Sequence, residues 1–395
     1  MRIFVLGAGA TGSLLAQLLA RQGHSVKCGD KDPERARRFL GQESPIPLLP
    51  VNARNLRAIV RAARECHLIV NASPAVFNEI VLRAALRLRA HYLDLSAHLT
   101  RHVFKVEQLR FAKRFQQKNR VAVITAGAAP GLTNLLVARA AELLDVDSTG
   151  RPALEAVHIR LYESMESDDP ISLWSPEGSF DAAISRPRIY RNGRFRLARR
   201  FAERERFRFA PPVGEVGVVL AAQDEVATIP HFLPLREMDA KIGGNEVDRL
   251  RRWYREGKLS RSRGLIAKRF PKTPTPRMVA RLIRRGVLQN ARFAMAVLVR
   301  GTRKERPVVV RWDCAFPTLY QIRRRGMLTT PIAYVTAHMA ALFIKQWQQA
   351  RPGVYPPEAL PAVMRQAILA DARSRDFRIT MKLKRLKKPE EEEAW

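Results

Sequence analysis

Apolar residues come in short blocks through the first third of the chain, with polar residues between them. Residues 3–6 form an unbroken apolar run, as in a parallel strand covered on both faces, and residues 13–19 repeat leucine and alanine at helical spacing. The alternation continues. Residues 25–30 predict a strand, 31–37 the start of a helix with Pro33 in its first turn, 46–51 a strand and 53–66 a helix. Residues 67–73 predict a fourth strand stopped by Pro74, 76–90 an amphipathic helix, 91–96 a fifth strand and 121–127 a sixth, before an apolar helix to Leu144. Strands alternating with helices six times predict an α/β fold, a doubly wound parallel sheet.

Beyond this point the rhythm changes. Strand-like runs at 157–162, 195–197, 216–220, 293–300 and 308–313 are joined by longer loops with few crossover helices, which predicts a second, α+β domain. Residues 329–349 predict a long apolar helix. The basic run 382–388, followed by Pro389 and four glutamates, predicts a disordered tail.

The turn between the first strand and the first helix is Gly7-Ala8-Gly9-Ala10-Thr11-Gly12. Gly7 permits the tight turn, Gly9 lets backbone approach a pyrophosphate, and Gly12 lets helix and strand lie close. The N–H groups at the helix start, those of Ala10 and Thr11 among them, and the positive end of its dipole suit a phosphate. Asp30, ending the second strand, stands where a ribose hydroxyl acceptor belongs. It favours NAD, while Lys31 and Arg35 beside it suit the 2′-phosphate of NADP, so both cofactors stay open. Asn71, Ala72 and Ser73 end the fourth strand, on the side of an open parallel sheet where ligands bind.

Composition adds bounds. With 395 residues, 46% of them hydrophobic, the chain is long enough for two or three domains. Arg2 leads at once into Ile3 and the glycine turn, so no signal peptide is expected, and the apolar run 332–344, interrupted by His338, is too short to span a bilayer. A cytoplasmic protein without a transmembrane segment is expected. Cys28, Cys66 and Cys314 are odd in number, far apart and read as reduced core thiols. The net charge of +33, from 70 basic against 37 acidic residues, is dispersed through segments such as 57–64, 83–89 and 277–285. Dispersal without a nucleic-acid motif predicts no specific nucleic-acid partner. His98 and His102 are spaced as a helical metal pair, but with no acid ligand nearby they read as ordinary surface or core histidines, and no metal is expected.

Further segments follow in order: 70–74 (VNASP), 92–96 (YLDLS), 130–135 (PGLTNL), 173–177 (LWSPE), 187–193 (PRIYRNG), 329–331 (TTP) and 353–358 (GVYPPE). Together with the glycine turn, and over nearly the whole chain, they resemble the saccharopine dehydrogenase-like oxidoreductase family. The resemblance implies a Rossmann dinucleotide-binding domain at 1–127, an α+β substrate and dimerisation domain at 128–326, and a segment at 327–380 returning to the first domain, with 381–395 as the tail. It implies an NAD(P)-dependent homodimer acting on the C–N bond of a secondary amine or imine, in an amino-acid or polyamine-type small-molecule substrate.

That chemistry needs a group to handle a proton, and Asp94, His98, Tyr162 and Glu166 are titratable candidates. Asp94 and Tyr162 are taken as catalytic. Ser96, Thr133, Asn134, Arg160 and Trp174 are taken as substrate contacts, Arg160 as a bidentate cation for a carboxylate. In the alternative reading, Ala129 and the 223–225 segment, which depart from many relatives, mark a catalytically degenerate nucleotide-binding protein whose basic surface meets anionic lipid or nucleic acid.

Overall fold

The computed structural model describes residues 1–146, 148–172, 175–259 and 272–386. They form two compact units, the first from residues 1–132, 274–281 and 327–372 and the second from the remainder.

In the first unit the apolar blocks become strands β1 (Arg2–Leu6), β2 (Ser25–Asp30), β3 (Leu48–Pro50), β4 (Leu68–Asn71), β5 (His91–Asp94) and β6 (Val121–Val123). Their order across the sheet is β3-β2-β1-β4-β5-β6, followed by a seventh strand, Gly353–Tyr355, and every pairing is parallel. The order reverses between β1 and β4, which opens a crevice at the carboxyl ends of those two strands. Helices α1 (Ala10–Arg21), α2 (Pro33–Leu40), α3 (Leu56–Ala62), α4 (Asn78–Leu88) and α5 (Ala112–Gln117) supply the crossovers.

Caps and prolines trim these elements relative to the hydrophobic pattern. The side chain of Asn55 accepts from Ala58 N–H, so α3 starts later than position 53. Pro47 and Pro50 lack N–H groups and confine β3 to three residues. The long apolar segment forms the helix Pro331–Gln346, capped by the Thr330 hydroxyl, buried along most of its length and packed against α1.

The second unit is built on a nine-stranded mixed sheet. Its strands are β7 (Leu154–Ser167), β8 (Arg188–Arg191), β9 (Arg194–Leu197), β10 (Glu205–Phe209), β11 (Gly214–Leu220), β12 (Glu237–Gly243), β13 (Leu288–Arg303), β14 (Arg306–Ala315) and a last strand, Arg378–Arg385. Only β12 and β7 pair in parallel; the other pairings are antiparallel. Phe207, Phe209, Val218, Ala296, Leu298 and Val309 form one of its cores.

The last strand corrects the expected disordered tail. Residues 378–385 pair with β14 as an edge strand, burying Ile379 and half-burying Leu383 while Lys382, Lys384 and Arg385 face solvent. Lysine-rich edges of this kind resist pairing with other chains. The rest of the tail, from 387 on, Trp174 and residues 260–271 lie outside the described residues. No described helix is long and apolar enough to cross a membrane.

Candidate functional site

The glycine turn divides its labour. Gly7 has φ +96°, and a Cβ there would lie 2.7 Å from the Ala72 carbonyl carbon and the Ser73 nitrogen, so this turn and the end of β4 meet backbone to backbone. A Cβ on Gly12 would sit 1.9 Å from the Gly7 oxygen, which makes Gly12 the contact that lets α1 lie close to β1. Gly9 differs. It is the N-cap of α1 with extended backbone, and a Cβ there would meet no protein atom within 4 Å.

No side chain caps α1, and its first intrahelical bond runs from Ser13 N–H to the Gly9 carbonyl at 2.9 Å. The N–H groups of Ala10, Thr11 and Gly12 precede that bond and face the space in front of the helix. Such a helix start attracts anions. Asp30, buried at the end of β2, accepts from Ala8 N–H at 2.8 Å through Oδ2 and from Asp32 N–H at 3.0 Å through Oδ1. Lys31 beside it is exposed. Asn71 is buried and its Oδ1 accepts from Ser73 N–H at 3.1 Å, so its side chain shapes the turn and leaves Ala72 and Ser73 half-buried at the mouth. An open approach at Gly9, uncapped amides and an acid ending β2 fit a dinucleotide.

Asp94, expected as a catalytic residue, is held by internal hydrogen bonds. Its side chain is fully buried, and the carboxylate accepts from Thr125 N–H at 2.7 Å, Tyr92 O–H at 2.9 Å and Gln108 Nε2 at 3.1 Å. It fastens the carboxyl end of β5 to the chain leaving β6. Burial first, and Asp94 after it, push the Tyr92 phenol well above its ordinary pKa. Asn78 and Gln108 complete the network by donating to the Ser96 carbonyl at 2.8 and 3.1 Å, which leaves the half-buried Ser96 side chain outside it. Neither Asn78 nor Gln108 stands in a motif; only their placement beside the ends of β4 and β5 marks them.

In the second unit, three expected substrate contacts have internal hydrogen-bond or ion-pair partners. Thr133 and Asn134, fully buried near the start of α6 (Leu132–Ala141), donate to Glu225 Oε1 at 2.7 Å and to Thr228 Oγ1 at 3.1 Å. Arg160, on β7, is buried with its guanidinium gripped by Glu205 and Asp239 and bonded to the Ile159 carbonyl at 3.0 Å. Burial alone would raise the Asp239 pKa, but Arg160 and His158 hold it well below the carboxylate range. The carboxylates of Glu205 on β10 and Asp239 on β12 thus already pair with Arg160. Tyr162, two residues along β7, is half-buried with its ring tilted against Phe209 at 5.8 Å between centroids. Glu166 pairs with Arg292. The pattern gave no sign of Glu163, whose carboxyl is pushed up to about 8 by burial and by the neighbouring Glu246.

Residues 3–123 match the family described as the saccharopine dehydrogenase NADP binding domain. Among solved structures, apo saccharopine dehydrogenase (L-Glu forming) from Saccharomyces cerevisiae is similar over 98% of this chain and 99% of its own, with 13% identity and a TM-score of 0.69. A probable dehydrogenase from Thermotoga maritima matches over 94% of each chain, at 9% identity and a TM-score of 0.44. The first of these shares the fold through both units. Residues 3–123 therefore match a saccharopine dehydrogenase NADP-binding domain, and the chain as a whole shares the fold of saccharopine dehydrogenase.

Proposed function

We propose that the chain is an NAD(P)-dependent oxidoreductase that makes or breaks the C–N bond of a secondary amine in an amino-acid or polyamine-type metabolite. The observation that carries the reading is the uncapped start of α1 behind the open Gly9, in a chain whose likeness to saccharopine dehydrogenase runs from end to end. In this reading the amides of Ala10, Thr11 and Gly12 hold the pyrophosphate and Asp30 holds the adenosine ribose. Ala72 and Ser73 border the same crevice, and Ser96 is a substrate contact, whereas Thr133, Asn134 and Arg160 have internal partners. When bound, the nicotinamide supplies or takes up the hydride. Tyr162 is the candidate for holding a proton in the reaction, since Asp94 has no exposed surface from which to do so. The same reading makes the protein a cytoplasmic homodimer, consistent with three buried, unbonded thiols at Cys28, Cys66 and Cys314.

The test is direct. The purified chain is titrated with NADH and NADPH by fluorescence, then given pairs of amino acids or polyamines with 2-oxo acids while NAD(P)H absorbance is followed. Oxidation that requires both partners, with a secondary amine as product, supports the proposal. Cofactor binding without turnover of any pair supports instead a degenerate nucleotide-binding protein. Absence of cofactor binding overturns both.

A further inference from the structure

Outside the dinucleotide crevice, three side chains of the first unit each turn one atom toward a common point. Glu79 lies in the first turn of α4, His98 in the loop after β5, and Glu107 opens the short turn Glu107–Phe111. Their ligand-type atoms all lie within 4.8 Å of one another. Each residue is anchored by its other end. Glu79 Oε2 is ion-paired with Arg110, Glu107 Oε1 accepts from Arg101 N–H at 2.6 Å, and His98 Nε2 lies 2.8 Å from Thr100 Oγ1. The atoms left over are Glu79 Oε1, His98 Nδ1 and Glu107 Oε2, all buried and all without a hydrogen bond.

Glu107 is the telling member. Its side chain is 2% exposed, and Oε2 lies 3.5 Å from His98 Nδ1, close enough for charges to interact. A carboxylate oxygen withdrawn from water and left unbonded is unfavourable. Assigning the His98 ring proton to Nε2, toward Thr100, gives Nδ1 a lone pair, so three lone pairs confront one another. A cation at their centre removes the conflict.

We propose that Glu79, His98 and Glu107 bind a divalent first-row transition-metal ion, with zinc as its probe. One imidazole with two carboxylates suits zinc, manganese or iron(II) better than magnesium or calcium, which favour all-oxygen sites. Two carboxylates balance the charge of the ion. Arg110, Thr100 and the Arg101 amide act as the outer partners that orient ligands. Bonds of about 2.0–2.2 Å in a tetrahedron separate ligand atoms by about 3.3–3.6 Å, so modest side-chain movement closes the site and leaves a fourth position for water. The ion would clip α4, the loop from 95 to 106 and the turn at 107 together. His102, the partner that spacing suggests, is exposed and takes no part.

The test uses the full chain, stripped with a chelator and titrated with zinc chloride by calorimetry, beside Glu107→Gln and His98→Gln. The expected result is one zinc per chain at micromolar affinity or tighter, weakened at least tenfold in each variant, with a zinc-dependent rise in Tm that the variants lose. Absence of stoichiometric binding by the wild type, or equal binding by all three proteins, overturns the proposal. Should the variants fail to fold, the wild type still decides. Zinc must protect His98 from diethyl pyrocarbonate, read by peptide mass spectrometry, and unchanged labelling of His98 overturns the site.

Discussion

Asp30 and Ala8 are joined by a 2.8 Å hydrogen bond from the backbone of the glycine turn to the acid that ends β2. The carboxylate therefore steadies the turn, and in the proposed function it also holds the ribose. Asp30→Asn keeps one acceptor oxygen and loses the charge. It is expected to weaken NADH about tenfold, equivalent to about 1.4 kcal/mol, while leaving NADPH nearly unchanged, because a carboxylate binds a 2′-hydroxyl and repels a 2′-phosphate. Fluorescence titration with both cofactors checks this; equal losses would remove Asp30 from the ribose.

Gly9 and Gly12 separate binding from folding. Gly9→Val places its side chain in space that no protein atom occupies, so the chain should fold while cofactor affinity drops on the order of 100-fold. Gly12→Ala, by contrast, drives a methyl into the Gly7 carbonyl and should lower Tm. Thermal melts and NADPH titrations on the pair make the comparison; wild-type affinity in Gly9→Val would refute the crevice assignment.

Asp94→Asn should behave as a structural variant. It replaces an acceptor of three hydrogen bonds by a group that carries its own N–H donors, and a buried mismatch of that kind costs about 1–3 kcal/mol. The pH profile of turnover should keep its shape while Tm falls. A lost limb in that profile, with Tm unchanged, would restore Asp94 as a proton carrier.

Arg160→Ala leaves Asp239 and Glu205 without their main cation. Removing one partner of a buried ion pair costs about 3–5 kcal/mol, which chemical denaturation should register as a shifted midpoint. If Arg160 instead binds a substrate carboxylate, KM would rise with stability unaltered.

Glu163 predicts a pH dependence of stability. Its folded-state pKa of about 8 lies above the ordinary 4.5, so between those values the unfolded chain releases a proton that the folded chain keeps. Stability is therefore greatest below that window, falls as pH rises through it by up to about 1.4 kcal/mol per unit, and levels above it. Glu163→Gln should flatten the slope and stabilise the protein at pH 8. Glu246, also raised by burial, accounts for what slope remains. Denaturation midpoints from pH 5 to 9 provide the check.

The first unit was legible because its signals are local. An apolar strand, three glycines and an acid at fixed spacing specify one turn, and the structure gives the second strand the same bounds, Ser25–Asp30. The second unit was harder. Strand β12 carries Glu237, Asp239 and Lys241 at alternate positions and reads as a solvated stretch, whereas Asp239 and Lys241 are buried against Arg160 and Glu205, residues far away in sequence. The internal partners of Thr133, Asn134 and Arg160 were hidden for the same reason: no spacing rule reveals that a polar side chain already has one. The Glu79, His98 and Glu107 cluster was hidden likewise, since the two acids lie 19 positions before and nine after the histidine.

The parallel sheet of the first unit is finished by Gly353–Tyr355, and α1 is covered by the helix Pro331–Gln346. Both pieces leave the ribosome long after the glycine turn does. The nucleotide-binding unit must therefore wait, with β6 an open edge and the apolar side of α1 uncovered, while the intervening residues are made. A fragment ending at residue 132 should expose that surface, bind a hydrophobic dye and succumb quickly to protease, whereas adding residues 327–372 as a separate peptide should restore protection. Its glycine turn is made with the first of the unit's segments, yet the strand that completes its sheet and the helix that covers α1 are made with the last.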